Sequence, residues 1–377
     1  MKRYLSDEIL KDIHKKIILI SGPRQSGKTT ITRAFYTNAE YFNFDSLEDR
    51  LALLKKNWRR DCDLLIFDEL HKMRDWKRWL KGIYDTEGIK PPIIVTGSAN
   101  LESYSKVGDS LAGRYFQFRL HPIDLKEAVT YWQDDRALAF EHLMNYSGFP
   151  EPFLAGNERD YRRWQRTHLD IILRQDLLDL KSVKSIQSIE TLIVLLTSRV
   201  GSTLSFSNLA RDLEVDPKTI KSWIALLENL YVVFIVPPYH ANIARSLLKE
   251  SKCYFFDFGR VADYGARLEN LVACALKKAC HFLEDTTGKH ADLYFLRTKD
   301  GQEIDFLIVV DQHPILAIEV KTSDATSSKA FQHFDQHIKP KHKVQLVLNL
   351  QRETDTATGV QIRRLVDWLA TFNLNDY

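Results

Sequence analysis

The sequence predicts an α/β protein in successive parts: a parallel-sheet domain, a helical middle ending in a helix-turn-helix with a β-wing, and a second α/β domain. Three stretches carry that prediction. GPRQSGKT (Gly22–Thr29) lies between a β-branched run, Lys16–Ser21, and a helix-like segment. DLLIFDEL (Asp63–Leu70) is an apolar run ending in two acids, and EIDFLIVV (Glu303–Val310) with HPILAIEVK (His313–Lys321) forms an acid-bearing hairpin. The expected parts span residues 1–123, 124–200, 201–240 and 241–377.

Size and composition set the frame. A chain of 377 residues is long for one core. Its 53 Lys+Arg against 50 Asp+Glu leave a net charge of +3, so a nucleic-acid surface would have to be local. Basic runs at Lys55–Arg60, Lys72–Lys81 and Arg159–Arg166 read as solvated helix faces. The four cysteines show no CxxC spacing, which suits a reducing compartment. No apolar stretch approaches the roughly 18 residues of a membrane span, so the expectation is a cytoplasmic protein without membrane contact.

In the first part, strand, glycine-bounded loop and helix follow in the order that G-x-x-x-x-G-K-[ST] needs to act as a phosphate loop. Gly22, Pro23, Arg24, Gln25, Ser26 and Gly27 would turn backbone N–H groups toward phosphates, with Thr30 on the helix start that follows. Lys28 would reach the outer phosphate oxygens, and the Thr29 hydroxyl would ligate Mg²⁺. The implied cofactors are therefore ATP and Mg²⁺. Four apolar residues, Leu64–Phe67, suit a strand buried on both faces, which places Asp68 at its carboxyl end. Asp68 is suited to hold Mg²⁺ through water and Glu69 to polarise the attacking water. PIIVT (Pro92–Thr96) is a third buried strand leading into GSAN, where Ser98 or Asn100 is placed to sense the terminal phosphate; a plain Gly-Ser turn explains it equally well. Arg114, before the alternating YFQFR, is either a transition-state arginine, in cis or from a neighbouring copy, or a structural ion-pair residue.

The middle reads as amphipathic helices interrupted by SGFPEPF (Ser147–Phe153), a turn between helical segments. From Ser202, an apolar face at Leu209, Ala210 and Leu213, then Asp216-Pro217 opening a second helix, then YVVFIV, describe a winged helix-turn-helix. The second helix offers only Lys218 and Lys221 as basic groups, so packing or protein contact is the better reading than DNA binding.

In the last part, a helical period over Asp263–Ala279 carries Glu269 beside its apolar face, and the hairpin follows. Asp305 on one strand and Glu319 with Lys321 on the next can reach one edge of a twisted hairpin. Paired carboxylates repel unless a divalent cation lies between them, and Lys321 would stabilise charge at a phosphate or a metal-bound water. This D…ExK pattern, with Glu269 as a further acid, is that of restriction-type nucleases. The same alternation also occurs as ordinary edge-strand charges.

GPRQSGKT, LLIFDELHK, VTGSAN and SLAGRYFQFRLHPI together resemble the P-loop NTPase core of a prokaryotic AAA-type ATPase family with a C-terminal domain of restriction-nuclease-like, PD-(D/E)xK appearance. That family shows a GGFPE-type turn where this chain has SGFPE, and a helix Glu, an E-x-D-F strand and an I-E-V-K strand as here. Its DE pair is usually followed by glutamine, where this chain has Leu70-His71. The resemblance implies ATP hydrolysis coupled to a nuclease-like domain in DNA processing. The alternative is a nucleotide-controlled assembly switch with an inert nuclease-like domain. DNA, a protein partner and further copies of the chain are the partner classes implied besides ATP.

Overall fold

Ile17–Ser21 (β1) is buried at every position, and so is Leu64–Asp68 (β3), as expected of strands covered on both faces. They belong to a five-stranded, all-parallel sheet in a computed structural model that describes residues 1–97, 111–176, 186–239, 250–298, 300–324 and 326–377. Contacts divide the chain into two units, Met1–Pro122 with Asn229–Tyr231, and Ile123–Glu228 with Val232–Tyr377.

The first unit adds Ala39–Asn43 (β2), Ile93–Thr96 (β4) and Tyr115–Arg119 (β5), in the order β2-β3-β4-β1-β5. Helices α1 (Leu5–Asp12), α2 (Lys28–Arg33), α3 (Leu47–Leu54) and α4 (Trp76–Glu87) accompany the sheet. Ser46 caps α3 by accepting from the Asp49 amide, which satisfies one of the orphan donors of its first turn. Trp58, Phe67 and Trp79 meet at ring separations of 5.5–6.1 Å and anchor one face of the sheet. The basic run around Trp58 is thus only half solvated: the tryptophan is buried, Arg59 pairs with Glu40 and Arg60 with Glu87.

The second unit opens with α5 (Leu125–Tyr131), α6 (Arg136–Tyr146), α7 (Pro150–Ala155), α8 (Glu158–Ile171) and α9 (Ile186–Thr197). Asp124, Asp135 and Asn157 cap α5, α6 and α8 in turn. The SGFP turn is tight because Gly148 hydrogen-bonds its carbonyl to the Ile123 amide at 2.6 Å; a Cβ on Gly148 would lie 2.2 Å from the Ile123 oxygen. Next come α10 (Phe206–Asp212) and α11 (Pro217–Asn229), with Pro217 at the helix start and the Asp216 carboxylate accepting from the Lys218 amide. Val233–Val236 (β6) then pairs antiparallel with Lys252–Phe255 (β7). Helix α12 (Tyr264–Thr287) is 24 residues long, well beyond the segment that apolar periodicity marked out. Its Asn270 is fully buried and exchanges two hydrogen bonds with the backbone of Phe255, taking the place of a ladder neighbour.

The remaining strands, β8 (Ala291–Arg297), β9 (Glu303–Val310), β10 (His313–Lys321), β11 (His342–Val347), β12 (Thr354–Asp355) and β13 (Val360–Arg364), form a mixed sheet ordered β12-β13-β11-β10-β9-β8. The β8-β9-β10 part is antiparallel, as the tight turn at Asp311-Gln312 dictates, and both turn residues have positive φ. Helices α13 (Lys329–Asp335) and α14 (Leu365–Thr371) complete the unit. No helix of the described residues is long and apolar enough to cross a membrane.

Candidate functional site

The loop after β1 is held open by backbone geometry. Gly22 has φ +147 and a Cβ there would come within 2.3 Å of the Leu120 carbonyl oxygen, so only glycine fits. Gln25 and Gly27 also have positive φ, and Gly27 precedes α2 directly. Lys28 is buried and donates to the carbonyls of Gly22 (3.0 Å) and Pro23 (2.7 Å), so its ammonium is folded onto the loop it belongs to. Just before the loop, the Ser21 hydroxyl accepts from the Tyr231 hydroxyl at 3.2 Å.

Asp68 ends β3 at the same edge of the sheet, with β4 between its strand and β1. Its Oδ2 accepts from the Thr29 hydroxyl at 2.9 Å and the Tyr41 hydroxyl at 2.6 Å. Its Oδ1 accepts from the Thr96 hydroxyl and, at 3.1 Å, from the Glu69 amide. Four donors, from α2, β2, β4 and the residue that follows β3, therefore fix one carboxylate. Burial and the hydrogen bond to Asp68 push the Tyr41 phenol up, which keeps it a donor. Thr29 and Asp68, predicted as Mg²⁺ residues, are brought together: a hydroxyl and a carboxylate in contact are a hard-oxygen pair that suits that ion. Tyr41 and Thr96 were not legible as site residues, because only the strand order β2-β3-β4 brings them beside Asp68.

Glu69 follows at φ +55, a left-handed conformation that turns its side chain out of the strand direction. Its carboxylate lies 3.3 Å from the Lys72 ammonium and 3.7 Å from the His71 ring. His71 is buried, and desolvation lowers its basicity.

Ser98, like Asn100, lies outside the described residues. Arg114 is placed away from its own phosphate loop. Its carbonyl accepts from the Ile17 amide, at the amino end of β1, whereas the loop leaves the carboxyl end. Five strand residues intervene, about 16 Å at 3.3 Å each. A cis role is therefore corrected by topology, since β5 runs parallel to β1. The guanidinium instead pairs with Asp85 on α4 at 2.8 Å. The arginine of β5 at the loop end of the sheet is Arg119, in register with Ser21.

In the second unit Asp305, Glu319, Lys321 and Glu269 converge as the hairpin spacing suggested. Asp305 accepts from the Val320 amide at 2.8 Å, and its own amide donates to Glu319 at 3.3 Å. Lys321 pairs with Glu319 at 2.6 Å. Among the described residues no group of three His, Cys, Asp or Glu side chains is arranged to hold a metal. Lys252 of β7 joins the cluster, its side chain fully buried against Glu269 (3.1 Å), Glu303 (2.5 Å) and Asp305 (3.6 Å). Glu269 also accepts from the Tyr254 hydroxyl at 2.6 Å. Burial first, then the neighbouring Asp305 charge, raises Glu269 to about 7 and Glu319 to about 7. The signal for Lys252 was a charged residue opening the otherwise apolar CYFF run, with Tyr254 on the same strand face.

With the geometry in place, residues 14–129 match a family model described as an AAA domain. That match spans the phosphate loop, the Asp68–Glu69 pair and the strands around them. Residues 137–265 and 264–365 match two models described as domains of unknown function, DUF8612 and DUF4143. An uncharacterized protein of Mycobacterium tuberculosis is 24% identical over 338 residues, covering 86% of this chain and 75% of its own. One from Haemophilus influenzae is 24% identical over 392 residues, covering 94% of both chains. A solved RuvB Holliday junction branch migration motor of Thermotoga maritima aligns with 66% of this chain and 96% of its own at 16% identity. Its TM-score of 0.34 is too low to support an inference.

Proposed function

We propose that the first unit binds and hydrolyses ATP with Mg²⁺. The observation that carries this reading is the joining of Thr29 to an Asp68 carboxylate at the mouth of a glycine-bounded loop. Lys28, released from the Gly22 and Pro23 carbonyls, would donate to phosphate oxygens, and the loop amides and the start of α2 would add donors for the same anion. Tyr41 and Thr96 fix the Asp68 carboxylate so that it and Thr29 can hold the metal. The metal, when bound, neutralises charge that develops on the phosphates. Glu69 would orient the attacking water and accept its proton, with Lys72 and His71 setting the position of its carboxylate.

For the second unit, the junction of Asp305, Glu319, Lys321 and Glu269 supports a restriction-nuclease-like reading, and α10, α11 and the β6-β7 pair support a winged helix beside it. Two uses follow: ATP-dependent DNA processing, or a nucleotide-controlled assembly switch with an inert nuclease-like domain. The buried Lys252 among the acids favours the second for the chain as folded. Steady-state ATP turnover with and without double-stranded DNA, in wild type and Lys28→Ala, tests both levels. The reading expects Mg²⁺-dependent turnover that falls at least about 100-fold in Lys28→Ala. Stimulation by DNA would favour processing. Equal turnover in the two proteins would refute the ATPase assignment.

A further inference from the structure

The acid cluster of the second unit carries its own cation. Lys252 has no exposed surface, and its Nζ faces three carboxylates from two elements, Glu269 on α12 and Glu303 and Asp305 on β9. The Phe295 ring lies 5.4 Å from the same nitrogen. Gly201 closes over Glu269 so tightly that a Cβ would lie 2.8 Å from its Oε2. A magnesium ion demands near-octahedral oxygens at about 2.0–2.1 Å. An ammonium 2.5–3.6 Å from these three oxygens occupies the place such an ion would take. A divalent ion entering there would have to displace the ammonium or lie against it, where the two positive charges repel in a buried setting.

We propose that Lys252 is the resident counter-ion of this cluster and keeps divalent cations out of it in the folded chain. The inference rests on reading the cluster as nuclease-like. Lys252 comes from β7, which pairs with β6 and not with the sheet that bears Glu303 and Asp305, so the cation and the acids belong to different elements of the unit. Movement of β7 is then what would convert the cluster into a metal site. Removal of the lysine, conversely, would leave carboxylates that must take up a proton or accept a divalent cation.

Titration of the nucleotide-free full chain with Mn²⁺, followed by electron paramagnetic resonance, tests the proposal. Wild type and Asp305→Asn are expected to bind Mn²⁺ alike, whereas Lys252→Met gains an Asp305-dependent site at least tenfold tighter than any in wild type. Asp305-dependent Mn²⁺ binding by wild type would overturn the proposal, as would a folded Lys252→Met with no gained site. Lys252→Met loses three ion pairs, so its thermal unfolding is followed with and without Mn²⁺. Mn²⁺ should raise the transition of the variant by more than it raises that of wild type or of Asp305→Asn; no larger effect on the variant counts against the counter-ion role. Plasmid cleavage is scored separately. A Mn²⁺-loaded Lys252→Met that cuts nothing removes the nuclease-like reading while the counter-ion role stands.

Discussion

Ser147 shows how a single side chain can sit in a glycine's place. It has φ +64 with ψ 179, a region that glycine enters freely and other residues enter at about 1–3 kcal/mol, and it is fully buried. Its hydroxyl has no hydrogen-bond partner among the described residues. Ser147→Gly should therefore stabilise the chain by about 1 kcal/mol after the added freedom of the unfolded chain is offset. Denaturant unfolding reads this directly, and a loss of stability would contradict the strain. Gly201→Ala should act in the opposite sense, by about 2 kcal/mol or more, since φ is +77 and the new methyl meets the Glu269 carboxylate. Arg114→Ala should leave ATP turnover within twofold and cost at most about 1 kcal/mol, because its partner Asp85 is half-exposed. A large loss of turnover would show that a second copy uses this arginine. The phosphate-loop residues were legible because their chemistry is contiguous in sequence. Tyr41 and Thr96 were not, since each acts through strand neighbours that no local pattern specifies.

At the scale of elements, apolar runs foretold β1, β3 and β4 because strands buried on both faces need no alternation. The hairpin β9-β10 was equally legible from its acids and its two-residue turn. Helix α12 was read short, since its later turns mix polar and apolar positions around Lys278 and His281, both buried. Lys278 is accommodated there by Asp124 at 3.0 Å and Glu127 at 2.6 Å, partners more than a hundred residues away in sequence. The same helix supplies a pH prediction through Glu269. Folding raises this carboxyl from an ordinary 4.5 to about 7, so the folded chain keeps a proton that the unfolded chain releases. Its contribution is full below about 4.5 and is lost as pH rises through about 7. Glu269→Gln should thus gain thermal stability relative to wild type above pH 7, with the gap closing toward pH 4.5. A gap independent of pH would refute the raised carboxyl.

For the whole molecule, two units of different chemistry share one chain. The first presents phosphate-loop, Thr29, Asp68 and Glu69 at the carboxyl edge of a parallel sheet, where such sheets bind ligands. The second gathers acids on a mixed sheet and neutralises them with a lysine from a separate strand pair. The four-part division expected from sequence corresponds to two units by contact, because α5–α11, β6-β7 and the mixed sheet pack as one body. Sequence spacing could not reveal this, since Lys278 with Glu127 joins segments that read as separate. The central claim is that the first unit separates nucleotide binding from hydrolysis between Lys28 and Glu69. Binding of a fluorescent ATP analogue and single-turnover hydrolysis, measured side by side in Glu69→Gln and Lys28→Ala, test it most directly. The account predicts that Glu69→Gln binds the analogue as wild type does and hydrolyses ATP at least about 100-fold more slowly, while Lys28→Ala loses binding. Wild-type hydrolysis in Glu69→Gln, or undiminished binding in Lys28→Ala, would contradict it.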